Sequence, residues 1–254
     1  MVRALFAFAA LVALISAPAL ARDRVALLIG NGAYEHTGRL RNPTNDVLAM
    51  YALLTSPALG FDGRDVEVVE NGDRRAMARA IRRFRQRASQ ADTALLFFSG
   101  HGMEIGGQNY LIPTDAELKH PGDADFDAIP LDAAVAAAAS ASRLSVVIFD
   151  ACRNNSFPST ARNGSTGFRM VTPDRPGQVI AFSTAPQEIA FDGSAALSPY
   201  TQALTEAIAA DPSLDVRKLF TSLGAKTARY AGGPQRPFAR FGDLPAEDIA
   251  LIPA

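Results

Sequence analysis

The chain has 254 residues, of which 48% are hydrophobic and 20% are charged, enough apolar material for one large globular domain or two small ones. Its formal net charge of -1 gives no electrostatic reason to expect nucleic acid or an anionic membrane surface as a partner. The single cysteine excludes an intramolecular disulfide, so it is either a small buried side chain or a reactive thiol.

Residues 1–21 have the three parts of a secretory signal peptide. A short positive segment ends at Arg3, and an apolar segment, too short to span a bilayer comfortably, covers residues 4–15. Ala19-Leu20-Ala21 then offers the small-x-small pattern of a cleavage site. We expect cleavage after Ala21 and a periplasmic or secreted protein. An uncleaved segment that anchors the chain to a membrane is the alternative.

The rest of the chain alternates strand and helix patterns. Apolar runs predict strands at 24–30, 65–69, 93–98, 144–149 and 178–183, with a last strand at 247–252. Helix starts are predicted at Asn42-Pro43, Asp73, Ser198-Pro199 and Asp215, and a further helix at 131–140. This alternation predicts an α/β fold whose central sheet is mostly parallel, has about six strands and is flanked by helices.

Two of these strands end in residues that suit nucleophilic catalysis. Ser99-Gly100-His101-Gly102 follows the third strand, and Asp150-Ala151-Cys152 follows the fourth. The carboxyl ends of parallel strands meet at one edge of the sheet, so His101 and Cys152 are expected to share a site there. An imidazole activates a thiol by accepting its proton and later returns that proton to a leaving amine. The N–H groups of Gly102 and Cys152 are the candidate donors to the oxyanion.

The chain resembles the caspase-type peptidase clan, and within it the bacterial relatives of metacaspases and paracaspases. The resemblance runs from about Arg24 to the end, and implies the caspase-like sandwich fold. Its matching segments are Val25-Ala26-Leu27-Leu28-Ile29-Gly30-Asn31 with Tyr34, Leu40 to Asp46, Ser99-Gly100-His101-Gly102, Asp150-Ala151-Cys152-Arg153 and Phe182-Ser183-Thr184-Ala185. Animal caspases carry Gln-Ala-Cys-Arg-Gly at the nucleophile, whereas this chain has Asp150 and Asn154 in place of the Gln and the Gly. This departure favours cleavage after basic residues over cleavage after Asp.

A pocket for the Arg or Lys side chain that precedes the cleaved bond, the P1 side chain, needs carboxylates. The resemblance to paracaspases implies three such acids, Asp46, Asp150 and Asp192. For each of them, a helix cap or a surface ion pair is the alternative. Ser99 is a candidate wall residue of the same pocket.

The resemblance also implies how the peptidase domain, residues 22–254, is divided. A larger part with His101 and Cys152 covers 22–153, a loop expected to be mobile covers 154–176, and a smaller part covers 177–254. We expect the protein to cleave itself in this loop after one of three arginines, Arg162, Arg169 or Arg175.

The expected partners are protein or peptide substrates, with no nucleic acid, and a membrane only through an uncleaved signal segment. We expect a monomer without a metal or other cofactor. Calcium activation stays open by analogy with metacaspases, although the sequence has no calcium-loop motif.

Three alternative functions are considered beside that of a basic-specific cysteine endopeptidase. A catalytically silent caspase-like binding module is disfavoured because both His101 and Cys152 are retained, and a peptidase specific for Asp is disfavoured by Asp150. A nucleotide-binding protein is disfavoured because Gly30-Asn31-Gly32 lacks the rest of the phosphate-binding pattern. The arginine-rich helix after Asp73 is interpreted as a solvated face rather than a polyanion site, because no aromatic residues interleave it.

Overall fold

The computed structural model describes residues 24–152, 169–185, 190 and 193–252, and of Cys152 it describes the main chain. The predicted signal peptide, Asp192, Arg162 and most of the predicted 154–176 loop therefore lie outside the described residues.

The described strands, in chain order, are β1 (Arg24–Gly30), β2 (Val66–Glu70), β3 (Thr93–Ile105), β4 (Gln108–Leu111), β5 (Ile129–Pro130), β6 (Leu144–Cys152), β7 (Gln178–Phe182) and β8 (Phe238–Phe241). Six of them form the central sheet in the order β2-β1-β3-β6-β7-β8. All neighbours in this sheet are parallel except β7 and β8, which are antiparallel. The short strands β4 and β5 extend β3 as an antiparallel arm.

Helices cover both faces of the sheet. They are α1 (Pro43–Leu54), α2 (Arg74–Ala88), α3 (Ala124–Asp127), α4 (Leu131–Ala138), α5 (Pro199–Ala210) and α6 (Val216–Ala231), with 3-10 turns at Gly63–Asp65 and Pro121–Asp123. Asp73, Ser198 and Asp215 cap α2, α5 and α6, since their side chains accept N–H groups of the first turns. Among the described residues, no helix combines the length and the apolar character that a membrane crossing requires.

The core has two layers because each buried strand presents alternate side chains to opposite faces of the sheet. Residues such as Leu27, Leu96 and Val147 pack with α2 and α4 on one face. Residues such as Leu28 and Phe97 pack with α1, α5 and α6 on the other face. The predicted α/β fold, with a mostly parallel sheet flanked by helices, is confirmed.

Two details of the predicted elements are wrong. The third strand does not end before Ser-Gly-His-Gly but continues to Ile105, because β4 and β6 supply pairing partners beyond the end of β1. The segment 247–252 is not a strand, and the sheet edge is formed instead by β8. Apolar Ile249 and Leu251 pack into the core beside α6, and the Ile249 carbonyl accepts the Val216 N–H at 2.8 Å. The predicted helix start at Asn42-Pro43 is confirmed, since Asn42 occupies the N-cap position of α1, although its side chain makes no capping hydrogen bond.

Candidate active site

The candidate site lies where β3 and β6 extend beyond their neighbours β1 and β7. Ser99 is paired with Asp150, Gly100 with Ala151, and His101 with Cys152. Ser-Gly-His on β3 and Asp-Ala-Cys on β6 therefore lie side by side on adjacent strands. On each strand, the last residue of the segment follows the first by two positions. On β3, the buried side chains of Leu95 and Phe97 lie on the face that α1 and α5 cover, and strand alternation continues this row with Ser99 and His101.

His101 is held by contacts on two sides, and its exposed fraction is only 4%. Its Nε2 lies 2.7 Å from the carbonyl oxygen of Gly38. A carbonyl oxygen only accepts hydrogen bonds, so this contact places a proton on Nε2. The His101 main-chain N–H donates to the hydroxyl oxygen of Tyr34 at 2.6 Å.

Tyr34 approaches His101 closely because a glycine precedes the histidine. The Tyr34 and His101 ring centroids are 4.4 Å apart at an interplanar angle of 42°. A Cβ atom on Gly100 would lie 2.6 Å from the Tyr34 hydroxyl oxygen and 2.9 Å from the ring of Phe98. Glycine at position 100 thus makes room for the hydroxyl that binds the histidine main chain.

Asp46 lies in the first turn of α1 and is fully buried, with an exposed fraction of 0%. Its Oδ2 accepts the Ser99 hydroxyl at 2.8 Å, and its Oδ1 accepts the main-chain N–H of Ser198 at 2.9 Å. The carboxylate is therefore directed to the sheet edge between β3 and the start of α5.

Asp150 is also buried, with an exposed fraction of 2%. Its Oδ2 accepts the Ser198 hydroxyl, and it accepts the Thr201 hydroxyl at 2.8 Å. The structure thus brings Asp46, Asp150 and Ser99 together around Ser198. Asp192, the third predicted acid, lies outside the described residues.

Tyr200 stands beside these acids on α5 and is 1% exposed. Its hydroxyl makes no hydrogen bond within the described ranges. Burial, and then the charge of Asp150, raise the pKa of Tyr200 well above its ordinary value. The hydroxyl is therefore a buried, protonated group within reach of the Asp150 charge.

The main chain of Gly102 points away from the hairpin arm. Gly102 is paired with Leu111, but the hydrogen bond next to this pair runs from the Ile112 N–H to the His101 carbonyl at 3.1 Å. In an antiparallel ladder this pattern makes Gly102 and Leu111 a non-hydrogen-bonded pair. The Gly102 N–H is consequently on the β6 side of β3, the side on which Cys152 is paired.

The described part of the chain contains no group of three or more His, Cys, Asp and Glu side chains that could hold a metal ion. Four residues of the site received no role from the sequence: Gly38, Tyr34, Ser198 and Thr201. Ser198 was expected only as a helix cap, and Tyr34 only as part of the matching segments. Gly38 contributes only its main-chain carbonyl, and the identity of a residue does not predict where its carbonyl points.

A family model described as the caspase domain matches residues 23–245 of the chain. The chain belongs to the caspase-domain family. This is a family of cysteine peptidases, so the predicted resemblance to caspase-type peptidases is confirmed. The roles of His101 and Cys152 stay predictions.

Relatives of this caspase domain include the mucosa-associated lymphoid tissue lymphoma translocation protein 1 of Homo sapiens and its Mus musculus homolog. Each is 33% identical over 97 residues, which are 38% of this chain and 11% of the relative. The chain thus matches about a tenth of the length of these proteins. Caspase-1 from Spodoptera frugiperda has the same fold, with a TM-score of 0.62 at 18% identity, covering 91% of this chain and 92% of that one.

Proposed function

We propose that the protein is an exported cysteine endopeptidase that cleaves after Arg or Lys. The observation that carries the proposal is the pairing of His101 with Cys152 on adjacent strands, with the carboxylates of Asp46 and Asp150 beside them. Substrates are proteins or peptides.

In this reaction His101 is the general base and acid. Because Nε2 faces the Gly38 carbonyl at 2.7 Å, Nδ1 takes the proton of the Cys152 thiol. The thiolate attacks the scissile carbonyl carbon, and the imidazolium then donates that proton to the leaving amine. Water, deprotonated by the same imidazole, hydrolyses the thioester and restores the thiol.

The oxyanion needs donors that are already directed toward it. The Gly102 N–H is the first proposed donor, because glycine carries no side chain that would hinder the substrate. The Cys152 N–H is the second proposed donor.

The charge of the neighbouring residues supports a basic P1 side chain. Two carboxylates attract a guanidinium or an ammonium, and they repel the carboxylate of a P1 Asp. Both acids are buried, with exposed fractions of 0% and 2% for Asp46 and Asp150. We therefore expect that a substrate displaces part of the surrounding chain before its P1 side chain contacts them.

The test uses fluorogenic peptides that differ only in a P1 Arg, Lys or Asp. We expect the wild-type protein to cleave the Arg and Lys peptides, and Cys152→Ala to reduce cleavage to background. Since the chain has one cysteine, alkylation with iodoacetamide should inactivate it at that residue alone. Cleavage after Asp but not after Arg, or no cleavage, would contradict the proposal.

A charge variant and its control test the acids separately. Asp150→Asn should raise the KM for the Arg peptide about tenfold or more, because a charged hydrogen-bond partner is lost. Asp248→Asn is the control. It removes an equal charge from an exposed aspartate that forms an ion pair with Lys218, and it should leave the KM unchanged.

Export, a monomeric state and the absence of a cofactor stay predictions from the sequence, and calcium activation stays open. Export is tested by the N-terminal sequence of the protein recovered from outside the cytoplasm, which should begin at Arg22.

A further inference from the structure

Ser198 contacts both candidate specificity acids, which come from different elements. Its main-chain N–H donates to Asp46 Oδ1 at 2.9 Å, and its hydroxyl donates to Asp150 Oδ2. Asp46 lies on α1 and Asp150 on β6, so Ser198 joins two carboxylates that are 104 residues apart in sequence. It is itself 2% exposed.

The direction of the Ser198 hydroxyl is fixed by a third contact. Its oxygen accepts the Thr201 N–H at 3.0 Å, which is the N-cap bond of α5. The one hydroxyl proton therefore remains for the Asp150 carboxylate. Hydrogen bonds to a carboxylate favour its charged form, and the N-terminal end of a helix dipole acts in the same direction.

A third observation places an additional polar group at the same end of α5. The Tyr200 hydroxyl is buried, near enough to Asp150 for that charge to raise its pKa, and makes no hydrogen bond to any described residue. The Thr201 hydroxyl, from the same turn, donates to Asp150 Oδ2 at 2.8 Å. The first turn of α5 thus presents polar groups toward the acids rather than only capping a helix.

We propose that Ser198 is a positioning residue for P1 recognition: it holds the Asp46 and Asp150 carboxylates in one orientation, so that both bind the same basic side chain. This inference rests on the proposed function and assigns part of the P1 preference to the N-terminal turn of α5. It predicts that Ser198 affects binding of a charged P1 side chain and not the chemistry at Cys152.

The test measures kcat and KM on matched peptides with Arg, Lys and neutral citrulline at P1. Ser198→Ala should raise the KM for the Arg and Lys peptides about tenfold, the usual effect of losing one hydrogen bond to a charged group. The kcat for these peptides and the KM for the citrulline peptide should change less than about twofold. Ser198→Thr, which keeps the hydroxyl, should restore most of the affinity.

Two further variants separate positioning from loss of helix stability. Asp73→Ala removes the N-cap of α2 on the opposite face of the sheet and should leave the KM unchanged. Ser198→Gly removes the hydroxyl but keeps the main-chain N–H, and glycine is well tolerated at an N-cap. It replaces Ser198→Ala in the test if the alanine variant folds poorly. In an Asp150→Asn background, Ser198→Ala should raise the KM no further, because the two residues act as a unit.

The outcomes distinguish this inference from the function on which it rests. A wild-type protein that cleaves no basic peptide overturns both. A wild-type protein that cleaves them, with an unchanged KM in Ser198→Ala and Ser198→Gly, overturns only the inference. A fall in kcat of equal size for the Arg and citrulline peptides also overturns it, because that result indicates general distortion of the site.

Discussion

Replacing Tyr34 by Phe tests the support of the candidate catalytic histidine. The substitution keeps the ring, whose centroid is 4.4 Å from that of His101, and removes the hydroxyl that accepts the His101 N–H at 2.6 Å. A buried N–H left without an acceptor costs about 1–3 kcal/mol. We expect the free energy of unfolding to fall by about 2 kcal/mol, which for a chain of this length lowers the Tm by about 4–8 °C.

The assay is urea denaturation in a Cys152→Ala background, so that self-cleavage does not interfere. Tyr230→Phe is the matched control. It removes a hydroxyl that donates to Glu206 Oε2 at 2.6 Å on an exposed surface, where the expected change is within about 0.5 kcal/mol. In the protein with Cys152, Tyr34→Phe should also lower kcat more than it raises KM, because the hydroxyl contacts the main chain of His101.

A Tyr34→Phe variant as stable as its parent, to within about 0.5 kcal/mol, would refute this reasoning. It would mean that the His101 N–H finds another acceptor or that water reaches it. A variant that loses stability while keeping its full kcat would confine Tyr34 to a structural role.

Three further predictions concern parts of the chain outside the His101 strand. The side chain of Arg217 and three main-chain N–H groups hold the pKa of the Asp215 carboxyl well below its ordinary value. The charged carboxylate therefore stabilises the fold above about pH 4, and this stabilisation disappears as the pH falls further. Asp215→Ala should lower the free energy of unfolding by about 2 kcal/mol in urea at pH 7, and by less below pH 4. Self-cleavage after Arg169 is not expected, because its N–H and its carbonyl oxygen are each hydrogen-bonded to the Asn109 side chain at 2.7 Å. A fragment whose mass corresponds to that cut would contradict this prediction. Asn109→Ala should make the peptide bond after Arg169 sensitive to trypsin. Tyr200→Phe should leave the free energy of unfolding unchanged or raise it by up to about 1 kcal/mol, since it removes a hydroxyl with no hydrogen bond to the described residues. A clearly lower Tm of the variant would contradict this prediction.

The strand pattern made the fold predictable from the sequence, because buried parallel strands are apolar on both faces. The true end of β3 was not predictable in this way. Its last residues are kept extended by β4 and β6, which are distant in sequence, and Ser-Gly-His-Gly has no apolar pattern of its own. The edge strand β8 was missed for a related reason. Its residues are mostly half-buried, whereas the more apolar 247–252 segment covers the start of α6.

The acids of the candidate site were predicted through family resemblance, but their shared contact was not. Ser198 follows Asp46 by 152 residues, and only the folded sheet brings α1 and α5 together. A serine before a proline predicts a helix cap and contains no information about which carboxylates its hydroxyl meets. The Gly38 carbonyl and the Tyr34 hydroxyl are likewise defined by tertiary contacts with His101.

The sheet order has a consequence for a chain that is cut between β6 and β7. The two strands on either side of the 153–168 segment are direct neighbours, paired through five residues from Ser145 with Gln178 to Phe149 with Phe182. The two fragments would also share the layer of side chains under α1 and α5 and the contacts of Ser198 with Asp46 and Asp150. A nicked protein should therefore elute from a sizing column as one particle of unchanged mass, and separate into two chains only in denaturant.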